Sequence, residues 1–364
     1  MKKILKSDSI VGFASSCFAV LLGLLFGFIV IMIANSSNAV TGFLTLISGG
    51  FSNGTRGIGQ SINQAVPIIM TGLSVGFAFK TGLFNIGTPG QFVVGAFAAI
   101  YVGVEWTFLP GPLLWIAAVL MAALAGALWG AVPGLMKAYL NVNEVIASIM
   151  MNYIGMYTIN YLVPLTVYDT LKNQTVPVSS DAIISKFGLD NIIPNINGGI
   201  VIAIIAVIVI YIILNKTTLG YELKACGFSQ DASKYAGINS KQKIVFSMMI
   251  AGALAGIGGA LLYLGGTGKC LQVVDILAPE GFNGIAVALL GLSNPIGVLI
   301  SGLFIAHITI GGSLMQIYGF IPQIVDIIVA IIIYFSAFSL FVKQFIDKKG
   351  FFKKKNVREE NANE

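Results

Sequence analysis

Long apolar runs separated by short polar segments form the pattern of this chain. A helix that crosses a bilayer needs about 20 mostly apolar residues. Such runs predict spanning helices at 10–34, 62–79, 84–104, 113–136, 144–166, 198–214, 244–264, 296–318 and 322–342. A shorter apolar segment, 281–292, is followed by the turn-forming sequence SNP, and its length is typical of a half-helix or re-entrant segment. The pattern therefore predicts an all-α transmembrane fold, a polytopic helical bundle of about ten spans with some short or broken helices.

The composition supports a membrane location and close packing between helices. Of the 364 residues, 56% are hydrophobic and 10% are charged, whereas about 25% are charged in an average soluble domain. The chain has 43 glycines, and small residues let helix backbones approach closely in membranes. Glycines spaced four residues apart predict such contacts, within the chain or with a partner chain. They are Gly23/Gly27, Gly126/Gly130/Gly134 and Gly252/Gly256.

The distribution of lysine and arginine predicts the orientation of the chain. If the N-terminus is cytoplasmic and the spans alternate, the cytoplasmic segments are 1–9, 80–83, 137–143, 215–243 and 343–364. These segments hold every lysine and arginine except Arg56, Lys172, Lys186 and Lys269. Cytoplasmic loops of membrane proteins carry such an excess of basic residues. We therefore expect a multi-pass protein of the cell (plasma) membrane with both termini cytoplasmic.

The predicted domain organisation follows from this orientation. A transmembrane domain over 10–342 lies between the short N-terminal segment and the basic tail at 343–364. The first apolar run is too long for a signal peptide, so we expect an uncleaved first span. The net charge of +6 marks the cytoplasmic face and favours anionic lipid headgroups. It therefore requires no nucleic-acid partner.

Two motifs resemble catalytic motifs but lack the required surroundings. GLSVG (72–76) matches the G-x-S-x-G pattern of serine hydrolases, and Ser74, His307 and Asp326 could supply a triad. The motif lies inside an apolar span, however, and close helix packing explains its glycines. GGTGKC (265–270) lacks the leading glycine and the Ser or Thr of a Walker A motif, so this chain is not expected to hydrolyse ATP. The sequence predicts no catalytic residue, no bound cofactor and no metal site.

Two hydrophobic segments interrupted by glycine and proline occur at corresponding places of two related halves. They are TGLFNIGTPGQF (81–92) and EGFNGIAVALLGLSNPIG (280–297), and each contains the pair Phe-Asn beside glycine. Such broken segments in the two halves of a transporter indicate the substrate site. The candidate substrate-path residues are Phe84, Asn85, Gln91, Phe282 and Asn283. Amides and rings without a full charge suit a neutral polar solute with a flat or sugar-like body, but the same amides could instead only tie helices together.

Three long stretches of the sequence carry a family resemblance. AFKTGLFNIGTPGQFVVGAF, NVNEVIASIMMNYI and PEGFNGIAVALLGLSNPIGVLISGLF follow one another along the chain. They resemble the permease subunits of nucleoside-type ABC importers, which belong to a broader group with sugar and branched-chain amino-acid permeases. The resemblance covers most of 60–340.

This resemblance implies a complete transport assembly. The chain would be the permease subunit of an ATP-driven importer that works by alternating access, with ATP-Mg bound by a separate ATPase subunit. A second related permease and a substrate-binding lipoprotein would be its other partners. Nucleosides are the implied substrates, and a simple sugar such as ribose is the alternative. An ion-coupled secondary transporter is a further alternative, which the scarcity of carboxylates inside the spans disfavours.

The predicted cytoplasmic loop 215–243 carries a second part of the resemblance. TTLGYELKACGFSQDASKYAGINSKQK resembles the coupling segment that docks onto the ATPase, where the family pattern reads roughly Ala-Val-Gly-x-Asn, two alanines, then Tyr-Ala-Gly-Ile. Cys226, Ser229 and Ser233 depart from that pattern by small-for-small changes. The positions that match it, and that we expect to contact the ATPase, include Ala225, Gly227, Ala232, Tyr235 and Gly237.

Overall fold

The computed structural model describes residues 2–266, 268–332 and 334–335. The predicted basic tail and the end of the last predicted span lie outside these residues. The helices, numbered in chain order, are α1 (Lys2–Ala34), α2 (Ala39–Ser48), α3 (Gly54–Lys80), α4 (Thr88–Glu105), α5 (Gly111–Leu140), α6 (Glu144–Leu165), α7 (Gly199–Lys216), α8 (Thr218–Phe228), α9 (Gln230–Tyr235), α10 (Ser240–Tyr263), α11 (Pro279–Leu290), α12 (Pro295–Met315) and α13 (Pro322–Ile332). An antiparallel pair of short strands, β1 (Tyr168–Asp169) and β2 (Gln174–Thr175), lies between α6 and α7.

Six segments of the described residues are long and apolar enough to cross a membrane. They are Ser16–Ala34 within α1, α3, α5, α7, α10 and Pro295–Tyr318, which includes α12. The predicted spans 84–104 and 144–166 correspond to α4, which begins only at Thr88, and to α6, and neither is among the six. The all-α membrane fold is therefore confirmed, whereas the count of about ten crossings stays a prediction. Helix α2 lies between the predicted spans 10–34 and 62–79, where the apolar pattern predicts no spanning helix.

The short apolar segment 281–292 corresponds to α11, a helix of 12 residues. At about 1.5 Å per residue such a helix is about 18 Å long, too short for a hydrocarbon core of about 30 Å. It runs alongside the C-terminal half of α3. Gly284 lies against Thr71, and Gly76 lies against Ala288 and Ser293. The two helices thus run in the same direction.

One compact unit combines the described residues of two parts of the chain, those up to Gly49 and those from Gly311 onward. Within the described part of this unit, α1 packs on α13. A methyl group added to Gly23 would lie 2.7 Å from the side chain of Ile332, and one added to Gly27 would lie 3.0 Å from Ile328. The first predicted glycine pair therefore marks a contact inside the chain.

The second compact unit is Gly50–Ile310, with α10 at its centre against α3, α4 and α5. Backbones touch where α5 meets α10. A methyl group on Gly252 would lie 2.2 Å from the carbonyl oxygen of Gly126, and one on Gly256 would lie 2.2 Å from that of Ala122. No side chain fits at such distances, so the two predicted glycine series pack against each other.

Candidate functional site

The segment between α3 and α4 folds back along α3 before the next helix begins. Gly82 adopts a φ of +74°, a conformation that L side chains rarely adopt, and turns the chain at the end of α3. The backbone N–H of Leu83 then donates to the carbonyl of Ala78 at 2.9 Å. Pro89 in the first turn of α4 has no N–H to lose there, so the helix can start at this point.

The helix starts of α4 and α11 meet beside the interior of α3. A methyl group on Gly281 would lie 2.5 Å from Cα of Pro89. The hydroxyl of Thr71 donates to the carbonyl of Glu280 at 2.8 Å. Thr71 lies about 14 Å along α3 from its Lys80 end, at about 1.5 Å per residue. Both helices therefore begin deep within the length of α3, as expected of broken helices.

Two of the predicted substrate-path residues, Asn85 and Gln91, form a buried amide pair. Their exposed fractions are 0% and 1%. The Asn85 amide donates to Gln91 Oε1 at 2.9 Å, and the Gln91 amide donates to Asn85 Oδ1 at 3.1 Å. Asn85 also donates to Ser74 Oγ at 3.4 Å and accepts from the Gly87 N–H at 3.1 Å. In this conformation the pair ties α3, the broken segment and α4 together.

Two buried polar residues of α6, Ser148 and Asn152, complete the same cluster. Asn152 accepts a hydrogen bond from the Gly90 N–H at 2.9 Å and donates to the carbonyl of Ile86 at 3.0 Å. It thereby satisfies an N–H in the first turn of α4, which has no partner within its own helix. Ser148 lies beside Gly87, and its buried hydroxyl has no hydrogen-bond partner among the described residues. The cluster thus contains one free buried hydroxyl.

The other three predicted path residues lie in more open surroundings. Phe84 is half-buried and stacks on Phe79, with 4.9 Å between ring centroids. Phe282 is 42% exposed. Asn283 is half-buried, and its amide makes no hydrogen bond to another described residue. The structure thus brings the two broken segments together at Pro89 and Gly281, but Asn85 and Asn283 have different environments.

One face of α6 carries three exposed tyrosines that sequence analysis missed. Tyr153, Tyr157 and Tyr161 are 46%, 55% and 68% exposed. Tyrosine is common where a spanning helix meets the headgroups, yet Tyr153 and Tyr157 lie in the middle third of α6. Their spacing of four residues was the available signal.

An apolar groove of about 280 Å³ lies between α4, α5 and α6. Aromatic side chains form part of its lining, among them Phe97, Tyr101, Trp106 and Trp129. It contains none of the predicted substrate-path residues. The groove therefore offers no amide that could select a polar solute.

The predicted coupling segment forms α8 and α9, and the departures from the family pattern have a local role. The hydroxyl of Ser229 accepts from the Ala232 N–H at 3.3 Å and so caps α9. Ser233 is buried, and its hydroxyl donates to the Ser229 carbonyl at 2.8 Å. Gly237, with a φ of +78°, ends the turn after α9. Ser229 therefore stabilises the start of the short helix.

Much of the coupling segment is exposed. Tyr235 is 95% exposed and Phe228 is 91% exposed. Of the matched positions, Gly227, Ala232 and Gly237 are also exposed, whereas Ala225 is half-buried. Exposed aromatic rings next to small residues are typical of a surface that receives a partner protein.

The residues of the hydrolase alternative do not form a catalytic site. Ser74 accepts from Asn85, and Gly72 and Gly76 on either side of it pack against α11 and the turn that follows. His307 Nδ1 accepts from the Gly50 N–H at 3.3 Å, and its ring packs against Phe51. Ser74 has no hydrogen bond to His307. The glycines of GLSVG thus serve helix packing.

Comparison with known proteins identifies the family. Residues 57–337 match the family described as branched-chain amino acid transport system / permease component. The guanosine ABC transporter permease protein NupP of Bacillus subtilis is 39% identical over 91% of this chain and 96% of its own length. The nucleoside ABC transporter permease protein NupB of Lactococcus lactis is 35% identical, over 90% and 92% of the two chains. The glucose ABC transporter permease protein TsgB13 of Haloferax volcanii is 32% identical, over 81% and 80%.

No solved structure shows significant similarity to the chain. The family match spans most of the sequence, including both broken segments and the coupling segment, and the identities above extend over nearly complete chains. The family consists of permease components rather than catalytic subunits. This chain therefore belongs to the permease components of the branched-chain amino acid transport family.

Proposed function

We propose that the chain is the permease subunit of an ATP-driven importer of nucleosides. The observation that carries the proposal is similarity over nearly the whole length to two permeases named for guanosine and nucleosides, at 39% and 35% identity. The uncharged amides and rings at the broken segments agree with a nucleoside, which has hydrogen-bonding edges and a flat base. ATP-Mg is bound by a separate ATPase subunit in this proposal.

The proposed assembly places α8 and α9 at the cytoplasmic face, where the ATPase docks. Basic residues cluster in this part of the structure: Lys243 pairs with Glu222 at 2.5 Å, and Lys241 lies over the ring of Tyr139. Lysine at such sites agrees with a cytoplasmic location and with cytoplasmic termini. A second related permease would complete the path, and a substrate-binding lipoprotein would deliver solute at the outer face. About ten crossings fit this arrangement.

The proposed mechanism is alternating access at the broken segments. In this structure the side-chain amides of Asn85 and Gln91 hydrogen-bond to each other. The half-buried Asn283 amide has no partner among the described residues and is therefore available to a ligand. Movement of the broken segment away from the first turn of α4 would release both amides of the pair for hydrogen bonds to a base or ribose. ATP binding would drive that step through α8 and α9. The amide pair thus ties helices in one state and contacts the solute in another.

A sugar importer is the second candidate, because a permease named for glucose is 32% identical to the chain. The two candidates differ in what should compete for uptake. The deciding experiment uses cells that lack this gene, with and without the gene restored. It measures uptake of labelled uridine and adenosine against excess ribose or leucine, with energy depletion as a control.

Nucleoside uptake that depends on the gene, resists both competitors and stops without ATP is the expected result. Competition by ribose would move the assignment to a sugar permease. Uptake that persists without ATP but follows an ion gradient would favour a secondary transporter. No gene-dependent uptake of either nucleoside would contradict the proposed substrate.

A variant of the coupling segment tests the ATPase contact. Gly237→Leu is expected to abolish uptake while the protein remains inserted, because it places a bulky side chain with strained backbone on the exposed docking surface. Gly188 has a similar φ of +75° and, like Gly237, no neighbouring atom within 4 Å of an added Cβ. Gly188→Leu is therefore the matched control and should retain uptake. Normal uptake by Gly237→Leu would contradict the proposed docking surface.

A further inference from the structure

The end of α8 touches the broken segment between α3 and α4 through two glycines. A methyl group on Gly82 would lie 2.4 Å from Cα of Gly227. One on Gly227 would lie 2.6 Å from the carbonyl carbon of Thr81 and 2.7 Å from the backbone N of Gly82. The two backbones are therefore in direct van der Waals contact. We call this the glycine contact.

Both sides of the glycine contact are firmly anchored. On the α8 side, Leu223 and Cys226 are 1% and 5% exposed, so the inner face of α8 is packed. On the other side, the buried Thr81 hydroxyl bonds the carbonyl of Ala78 at 2.9 Å and also the hydroxyl of Ser247 in α10. A displacement of α8 cannot be absorbed by a loose side chain at the contact, because neither glycine has one.

The glycine contact lies next to the amide pair along the chain. Leu83, which follows Gly82, is buried in a cluster with Ala78, Ile244 and Met248. Only Leu83 and Phe84 separate Gly82 from Asn85, a distance of at most about 11 Å along the backbone. The partner of the contact, Gly227, directly precedes the exposed Phe228. The exposed docking surface at Phe228 is therefore next to the glycine contact, and the glycine contact is next to the amide pair.

We propose that the glycine contact transmits the motion of the coupling segment to the Asn85–Gln91 pair. Gly82 and Gly227 are positioning residues that act through the broken segment. Rigid packed elements carry such motion because they have discrete arrangements rather than continuous deformations. A side chain inserted between the backbones would hold α8 away from the segment and leave the amide pair in one state. This role rests on the proposed importer function.

The test uses the complete complex of both permeases and the ATPase, reconstituted in vesicles with the binding protein. Gly227→Ala adds only the clash, because the φ of Gly227 is not positive. Gly82→Ala adds the clash and backbone strain, and Gly188→Ala adds the strain alone. ATP hydrolysis and labelled uridine uptake are measured in the same vesicles.

Gly82→Ala is expected to keep ATP hydrolysis within about twofold, and both Gly82→Ala and Gly227→Ala are expected to lower uptake per ATP hydrolysed at least about tenfold, a loss of about 1.4 kcal/mol in coupling. Gly188→Ala should change neither. If uptake and ATP hydrolysis both fall in proportion to the amount of assembled complex, the two glycines have a purely structural role and the proposal is overturned. An unchanged ratio of uptake to hydrolysis would also overturn the proposal.

A measurement on the unmodified complex covers the case in which the variants do not assemble. Backbone amide exchange is compared with and without a non-hydrolysable ATP analogue. Protection at 81–91 should change together with protection at 222–229. Independent changes would overturn the proposal. This readout needs no transported solute, so it separates failure of the glycine contact from failure of the nucleoside assignment.

Discussion

The two Phe-Asn pairs of this permease have similar sequences and opposite surroundings. Asn85 is fully buried, and both its amide and its oxygen are hydrogen-bonded. Asn283 is half-buried, and its amide has no partner among the described residues. Phe84 stacks on Phe79, whereas Phe282 is 42% exposed. Likeness of sequence in two halves therefore predicted where the helices break, but not which side chains are available to a ligand.

The neighbours of each segment explain the difference. The first segment is surrounded by α3, α5, α6 and α10, so its polar groups must be satisfied by protein. The start of α11 packs on Pro89 of α4 through Gly281 and on Thr71 of α3 through Gly284, and Phe282 between them is 42% exposed. The comparison implies that changes at Asn85 act first on stability, and that changes at Phe282 and Asn283 act first on transport.

The largest effect, a loss of folding stability, is expected for Asn85→Leu. This substitution leaves the Gln91 amide and the Gly87 N–H buried without partners. Each such group destabilises by about 1–3 kcal/mol, so a loss of about 3 kcal/mol is expected. This loss of stability is measured by thermal unfolding of the purified complex and by the amount of protein in the membrane.

Asn283→Leu is the matched control for that loss, because it makes the same exchange at the second Phe-Asn pair. Its expected change in unfolding temperature is small, since no hydrogen bond is removed. Equal destabilisation by both substitutions would contradict the difference between the two segments.

The next largest effect is expected for the interaction free energy between Asn85 and Gln91, which a double-mutant cycle measures. The two reciprocal hydrogen bonds predict that Asn85→Ala and Gln91→Ala are not additive. The expected interaction free energy of unfolding is about 1–2 kcal/mol. A parallel cycle at Asn283 and Gln91 should give a value near zero. An additive result at the first pair would mean that the amides do not depend on each other.

Substitutions at the second segment should instead change transport. Phe282→Ala and Asn283→Ala are expected to raise the KM for nucleoside uptake about fivefold, which corresponds to about 1 kcal/mol of lost solute contact. Stability should change by less than about 0.5 kcal/mol, because neither side chain is buried. The KM is measured from the kinetics of uptake at equal amounts of membrane protein, and the stability is measured by thermal unfolding. An unchanged KM would remove both residues from the substrate path.

The sequence predicted much of the fold because its strongest signals are local. Apolar runs, glycine spacing and the Gly-Pro interruption at 81–92 each follow from helix geometry, and each has its counterpart in the structure. The pairing of Asn85 with Gln91 could not be predicted, because the sequence left open whether these amides bind solute or tie helices. The contact of Gly82 with Gly227 joins residues far apart in the chain. Only the folded backbone reveals it.

The smallest effect is expected at Phe84, which tests whether the first segment also has an available side chain. Phe84→Leu removes the stack on Phe79 but keeps an apolar group of similar size. Loss of such a stack destabilises by about 0.5–1 kcal/mol. If Phe84 only packs, thermal unfolding should shift by this amount while the KM for uptake stays constant, and Phe79→Leu should have the same effect. If the ring also stacks on a base in the path, the KM should rise for Phe84→Leu and not for Phe79→Leu. The second result would make Phe84 the counterpart of Phe282 despite the burial of its neighbour Asn85, and would confine the purely structural role to the amide pair.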